Sequence, residues 1–405
     1  MNKRFMIWEN PRDAVLSIVF ILMALGCMNV FSASFVRADA MFHDSYYFLK
    51  RYLMWGALGL VNMWLIGFKL NYKIFLSRRF INILCTITFL LLLAVDVVGV
   101  VVNGSRRWLY IAGVSLQPSE LAKVVEVMLA ASFLGQRLKE NKPISLTRYV
   151  SAKAMFVAGV FGVLIFKQPD MGTMGIVVAL MLVMYVIAGI PVSQIVKVVG
   201  AGIVGLIGLA LLAPYRVQRF LSWLDPWKDA QGSGYQLAQS ILAIGSGGFV
   251  GVPWGQGSSK FFYLPEAHTD FAFAIFCQEW GFMGALLLIA LFVIFARALI
   301  RIAGHTKDAR GFLLVAGATC LLVGQSAANM AMVCGLLPVI GVPLMFISYG
   351  GTSMVINMIC IGLVISVYHD ECRREKMEER VAQGLPPIEH HQLRVVTSHG
   401  VRRGE

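Results

Sequence analysis

Asp270 ends a polar stretch that begins at Pro214, and an apolar run follows it directly. Two roles suit an acid there. It can cap the next helix, as Thr269 also could, with its charge complementing the helix dipole. Or it can stand at the mouth of a cavity and take a proton or hold a divalent cation. Glu266 lies one helical turn earlier and fits either a shared site or an ordinary surface position. His268 has no second His or Cys at ligand spacing, so a structural histidine fits better than a metal ligand.

Arg106 and Arg107 adjoin Trp108 in a connection between two apolar runs. Arg and Trp together anchor chains at membrane interfaces. Guanidinium forks also match phosphate oxygens, so the pair suits anion recognition equally. Arg216 and Arg219 form a second basic pair with the same two readings. Glu120 and Lys123 stand three residues apart inside an apolar run. Charges in such a place are costly and usually pair, which makes a structural ion pair the stronger reading and a polar pathway the weaker one. Asp96 and Glu279 are single acids in apolar runs with no partner evident in the sequence. Taken alone, these residues describe a membrane enzyme or transporter with a polar site for an anion.

The elements that position them follow from composition. The chain has 405 residues, 58% hydrophobic and 14% charged, far less charge than a soluble domain carries. Apolar runs of membrane-crossing length recur at 14–35, 47–68, 80–100, 117–135, 152–168, 172–190, 195–213, 271–296, 311–334 and 347–368. The alternation of a barrel strand is absent. The expected fold is all-α: a polytopic membrane protein of about ten transmembrane helices, with a large extracytoplasmic loop, about 214–270, between helices 7 and 8. Residues 1–368 form the membrane domain and 369–405 a polar tail. The first run is too long for a signal peptide and is expected to be an uncleaved anchor.

Basic residues cluster in every second connection: Lys3, Arg4 and Arg12; Lys69, Lys73, Arg78 and Arg79; Arg137, Lys139, Lys142 and Arg148; Arg297, Arg301, Lys307 and Arg310; then Arg373 to Arg380. Positive charge marks the cytoplasmic side, so both termini are expected there. The net charge of +13 is then a topology signal beside anionic lipid rather than a nucleic-acid footprint. Seven cysteines without a CxxC pair offer neither a disulfide framework nor a zinc site. The opposite side holds the 101–116 connection, the Lys167–Asp170 turn, the 336–346 turn and the long 214–270 segment.

Several motifs on that side resemble the SEDS family (shape, elongation, division and sporulation). They are Gly104-Ser105-Arg106-Arg107-Trp108, Gln117-Pro118-Ser119-Glu120-Leu121-Ala122-Lys123, Gln168-Pro169-Asp170-Met171-Gly172-Thr173, the stretch Tyr263 to Phe271 containing Glu266-Ala267-His268-Thr269-Asp270, and Ile347-Ser348-Tyr349-Gly350-Gly351-Thr352-Ser353. They stand in order across residues 14–368. Tyr47 to Arg51, Arg219 to Trp227 and Gly234 to Ser240 are more similar to the division and sporulation branch than to the rod-elongation branch. Met345, Gly257 and Pro253 depart from the family pattern without removing a charged motif residue.

The resemblance implies a peptidoglycan glycosyltransferase. It would join lipid II into glycan strands by inverting transfer on the outer face of the cytoplasmic membrane, during septal wall synthesis. It implies Asp270 as the catalytic residue, the base near the acceptor hydroxyl. Arg106, Arg107, Trp108, Arg216, Arg219, Lys260, Glu266 and His268 would contact substrate, and Glu120 and Lys123 would support the site. Mg²⁺ or Mn²⁺ at Asp270 is compatible with it, and no organic cofactor is expected. The implied partners are a class B penicillin-binding transpeptidase and other division membrane proteins, without nucleic acid. A lipid II flippase and a non-catalytic division scaffold are the alternatives.

Overall fold

The structure, a computed structural model, describes residues 8–102, 105–111, 114–146, 149–211, 214–261 and 263–384. Within these, the side chains of 102, 111, 114, 149–151, 203–204, 206–211, 214–217 and 219 are not described.

Long helices stand at each of the ten apolar runs. They are α1 (Pro11–Phe42), α2 (Tyr47–Trp64), α4 (Arg78–Val98), α5 (Pro118–Lys139), α6 (Tyr149–Lys167), α7 (Met171–Ile187), α8 (Val192–Leu211), α11 (Ala272–His305), α12 (Ala309–Val333) and α13 (Gly351–Ala382). A π turn, Leu65–Lys69, extends α2, and the four-residue α3 (Tyr72–Phe75) follows it. By length and apolarity alone, α1, α4, α11, α12 and α13 suffice to cross a membrane. The others are shorter or more polar: α7 has 17 residues, and α5 carries Glu120, Lys123 and Glu126. α2 packs along α13, α5 along α12, and α1 along α11, which seats the charged α5 inside the bundle. The chain is a multi-pass membrane protein.

Local chemistry sets the helix ends. Pro118 starts α5, Glu120 sits in its first turn, and Arg137 and Lys139 in its last, each placed to complement the macrodipole. Asp170 caps α7 by accepting from Thr173 N at 3.2 Å, and Asp308 caps α12 at Gly311 N. α13 runs on through Arg380, so the expected boundary at 368 falls inside a helix. Residues 385–405 of the expected tail lie outside the described residues.

Two connections expected as loops carry structure. Three strands, β1 (Val100–Val102), β2 (Ser105–Ile111) and β3 (Val114–Leu116), form an antiparallel sheet in the order β1-β2-β3. The β-branched and aromatic residues of this stretch suit a small pleated surface. The segment from Pro214 to Asp270 holds α9 (Pro214–Leu224), α10 (Tyr235–Ser246) and a 3₁₀ turn, Ser258–Lys260. α10 packs on α11, and Trp223 Nε1 donates to the Gly335 carbonyl at 3.0 Å, tying α9 to the end of α12.

α11 breaks at Gly281, whose φ is 65°. Gly251, with a φ of 88°, lies against this break. The 248–252 backbone pairs with α11 there, from Val252 N to Gln278 O at 3.0 Å and from Phe282 N to Gly248 O at 3.0 Å. Any side chain at either position would meet backbone, so glycine is required both for the dihedral and for the close approach.

Candidate active site

Asp270 is the N-cap neighbour of α11, one residue before its cap, Phe271. Its carboxylate takes no hydrogen bond and no ion pair among the described residues, so it does not cap the helix. Its backbone carbonyl instead accepts from Asn329 Nδ2 at 2.7 Å, and the same amide donates to Val342 O at 2.6 Å. Asn329, on α12, thus pins Asp270 to the 336–350 segment. Gly341 lies beside the carboxylate: a Cβ there would stand 3.4 Å from Asp270 Oδ2 and 3.9 Å from Arg107 Nη1.

Arg107 reaches this place because β2 is irregular. Val100 faces Trp108 while Val101 faces Arg106, so Arg107 is the extra residue of a bulge, a device that re-aims a side chain. Its guanidinium donates to the carbonyls of Gln168, at 3.4 Å, and Pro169, and lies 3.7 Å from Asp170 Oδ1. Asp170 also accepts from Thr173 Oγ1 at 2.9 Å. The next glycine, Gly172, packs on the Ile340 carbonyl with no room for a side chain. The Gln168–Gly172 turn therefore meets the 336–343 segment opposite Asp270.

Glu266 stands on Asp270's other side with a φ of 54°. It accepts from Thr269 Oγ1 at 2.8 Å and pairs with Arg37 of α1 at 3.8 Å. Burial, then the charges of Glu266 and Asp170, push the Asp270 carboxyl up to about 7, against the pull of Arg107. Burial also raises Asp170, opposed mainly by Arg107. An acid whose neighbours hold it near neutrality, with its own oxygens unclaimed, is suited to exchange a proton with a bound hydroxyl.

Other expected contacts fall elsewhere. Lys260 is no phosphate ligand: its ammonium is sealed 2.7 Å from Glu279 Oε1 and 3.0 Å from Ser32 Oγ, over the Phe35 ring. The acid that lacked an evident partner, Glu279, receives one from a loop nineteen positions away in sequence. Ser32 also donates to Glu279, at 2.6 Å. Ser32→Ala should therefore lower stability by about 1.5–3 kcal/mol, read as earlier thermal unfolding of the purified protein, with turnover of the surviving fold unchanged.

His268 is buried against the rings of Phe48 and Tyr349. Burial lowers its imidazole to about 4, so it is neutral packing and not a charged substrate contact. Arg106 is exposed, with one bond to the Asp96 carbonyl at 3.3 Å, and Trp108 is partly buried on β2. Arg216 and Arg219 belong to α9, but their side chains lie outside the described residues. Lys123 lies 2.6 Å from Glu120 Oε1 and 2.6 Å from Gln325 Oε1. Gln325 in turn donates to Pro343 O at 3.3 Å, beneath the segment that faces Asp270.

Sequence reasoning left out Asp170, Arg37, Asn329 and Gly341. Asp170 stood inside a quoted motif, and the Asp-x-x-Thr spacing of Asp170 and Thr173 signalled a cap. Arg37 and Asn329 sit in apolar helices with nothing beside them in sequence to mark them. Glu126 was also missed. It is fully buried on α5, and neither carboxylate oxygen has a hydrogen-bond partner among the described residues.

A bundle of long apolar helices with a cluster of charged side chains at one end, around an acid unpaired among the described residues, defines a multi-pass membrane protein with a chemically equipped site. The cell cycle protein model that unites FtsW, RodA and SpoVE matches residues 12–373, and the chain belongs to this family. It is 37% identical to the stage V sporulation protein E of Bacillus subtilis (strain 168), over 88% of this chain and 97% of that one. It is also 37% identical to a probable peptidoglycan glycosyltransferase FtsW of Geobacter sp. (strain M18), over 87% of this chain and 95% of the other. Among solved structures, a chain of a peptidoglycan synthase complex, described for its coordination of polymerization and crosslinking, superposes with a TM-score of 0.68 at 27% identity. That match covers 88% of this chain and 97% of the other. The rod shape determining protein RodA of Thermus thermophilus superposes with a TM-score of 0.64 at 26% identity, over 91% of this chain and 99% of that one. An aspartate-to-alanine mutant of that RodA superposes with the same TM-score of 0.64, over 88% of this chain and 97% of that one.

Proposed function

We propose that this chain is a peptidoglycan glycosyltransferase that polymerises lipid II, with Asp270 as its general base. The observation that carries the reading is the carboxylate of Asp270, free of partners among the described residues and raised to about 7. Family membership supports the reaction class. In the proposed step the acceptor GlcNAc 4-hydroxyl attacks the MurNAc anomeric carbon of the donor. Its proton passes to Asp270, the glycosidic bond forms with inversion, and undecaprenyl diphosphate leaves with the electron pair of the broken bond. Negative charge grows on the diphosphate, so cations near the site lower the barrier. Arg107, next to Asp270 across Gly341, and the exposed Arg106 are candidates to supply it.

A divalent cation fits this site only as a companion of the substrate. Glu266 and Asp170 are held by Thr269, Arg37, Thr173 and Arg107, and no group of three His, Cys, Asp or Glu side chains gathers among the described residues. Mg²⁺ commonly binds through one or two carboxylates plus phosphate oxygens; Asp270 would hold it, and it would supply positive charge to the leaving group.

The site faces outward in this reading, with both termini cytoplasmic, at the division septum, beside a class B penicillin-binding transpeptidase. The chain's likeness to a member of a synthase complex supports such a partner. The deciding assay is glycan synthesis by the purified protein from lipid II, with and without the transpeptidase. Polymer is expected, more with the partner; no polymer under either condition would leave the flippase or the scaffold. For orientation, Gln231→Cys and Lys142→Cys in a background without native cysteines should differ. Both positions are exposed, and a membrane-impermeant maleimide should label the first in intact spheroplasts and not the second. Labelling of both from outside would break the ten-span topology.

A further inference from the structure

The π turn at the end of α2 opens a cavity against α13 at the basic end of the bundle, far along both helices from Asp270. Its volume is about 350 Å³, and Lys69, Asn71, His369, Asp370 and Arg373 contribute its polar walls. The single acid there is already neutralised: Asp370 pairs with Lys73 at 2.6 Å and accepts from Asn71 at 2.8 Å. His369 is committed to the Gly67 carbonyl at 2.9 Å and to Arg12 at 3.3 Å.

Two cations remain without an anion among the described residues. Arg373 has no hydrogen bond or ion pair, and its Nε is buried without an acceptor. Lys69 rests only on the Trp64 ring, 5.0 Å from its centroid. A buried guanidinium N–H without an acceptor is costly, and the charge-assisted bond it lacks is best supplied by an oxyanion.

The rim of the cavity tells which oxyanion. Phe68, Leu70 and Ile74 line it and are 37%, 44% and 54% exposed, and Trp64 and Leu65 beside them are 49% and 40% exposed. In a membrane-spanning helix end these apolar faces meet lipid. A basic recess with an apolar lip at the interface suits a headgroup whose acyl chains lie along the lip. We infer that this cavity binds the phosphate of an anionic phospholipid from the leaflet at the basic end, held by Arg373 and Lys69.

The test uses the full-length protein purified in a zwitterionic detergent. Native mass spectrometry would follow adducts of phosphatidylglycerol and of phosphatidylethanolamine with the same acyl chains. Phosphatidylglycerol should be retained preferentially, and Lys69→Gln/Arg373→Gln should weaken it about thirtyfold, as expected for two headgroup charges, with phosphatidylethanolamine unaffected. Lys69→Gln alone, at an exposed position, should weaken it about fivefold, and it guards against a fold defect from Arg373. The parental thermal midpoint without lipid should be kept by the single variant. Equal retention of phosphatidylglycerol by parent and double variant would overturn the inference. So would displacement of the lipid adduct by inorganic phosphate at low millimolar concentration, which would make the recess a site for a soluble anion.

Discussion

If the proposed function holds, Asp270→Asn should abolish glycan synthesis from lipid II while the protein inserts, folds and binds the proposed transpeptidase partner as the parent does. Asparagine caps helices about as well as aspartate, and the Asp270 carboxylate caps nothing. The bonds that fix this position run through its backbone carbonyl to Asn329, and asparagine keeps them. Removing a general base costs roughly 10²–10⁴-fold in rate, enough to empty a gel of polymer. A folded Asp270→Asn protein that polymerises at the parental rate would remove Asp270 from the mechanism.

The pH profile adds a signed test. A base must be deprotonated to act, and the Asp270 carboxyl is raised to about 7, so activity should rise with pH through that value. Glu266 contributes to the rise in its pKa and Arg107 opposes it. Glu266→Gln should therefore move the rising limb to lower pH, and Arg107→Gln to higher pH; shifts in the opposite directions would place the titration on another group. Linkage gives the stability side. The folded state holds this proton more tightly than the unfolded chain, so the contribution is complete below the ordinary aspartate range and is lost as pH rises through about 7. Asp270→Asn should thus unfold at the same or a higher temperature than the parent at pH 8. Titrating Mg²⁺ or Mn²⁺ against Asp270→Glu separates a base from a metal ligand, because only a ligand role predicts rescue by added cation.

Lys123→Met should strip folded protein from the membrane as well as activity. The ammonium is buried, 1% exposed, with Glu120 and Gln325 each at 2.6 Å. Removing it leaves a buried carboxylate unpaired, a change that costs about 3–5 kcal/mol in soluble proteins. It also loosens Gln325, whose amide carries the bundle's hold on Pro343 and so on the segment facing Asp270. Glu120→Gln/Lys123→Met removes the orphaned charge and should recover accumulation and thermal stability. Lys123→Met protein that accumulates and unfolds like the parent yet makes no polymer would move Lys123 into the catalytic site.

Much of this architecture was legible in the sequence, because a bilayer imposes a simple rule: backbone polar groups must be satisfied internally, so apolar runs become helices. The ten runs each carry a helix. Glu120 and Lys123 could be paired on paper because three residues bring two side chains to one helix face. Asp270 could be singled out by its place between a long polar stretch and an apolar run, and by its motif.

Contacts between distant segments were not legible, since no local pattern encodes them. Lys260 looked like a phosphate ligand because it lies in a long loop rich in polar residues; folding turns it inward, where Glu279 and Ser32 neutralise it. His268 sits in the same motif as Asp270, yet it packs between Phe48 and Tyr349 as neutral filler. Arg106 and Arg107 are neighbours with the same side chain, yet alternation along β2 and its bulge send Arg107 to Asp170 while Arg106 stays exposed. By itself the sequence determined a helical membrane protein and its span positions, and it marked Asp270 as the candidate acid, because hydrophobicity and motif are local properties. The tertiary structure decided which charges are partnered: Lys260 meets Glu279, and Lys123 gains Gln325 beside Glu120, only where segments distant in sequence pack together, and among the described residues the Asp270 carboxylate is left without a partner.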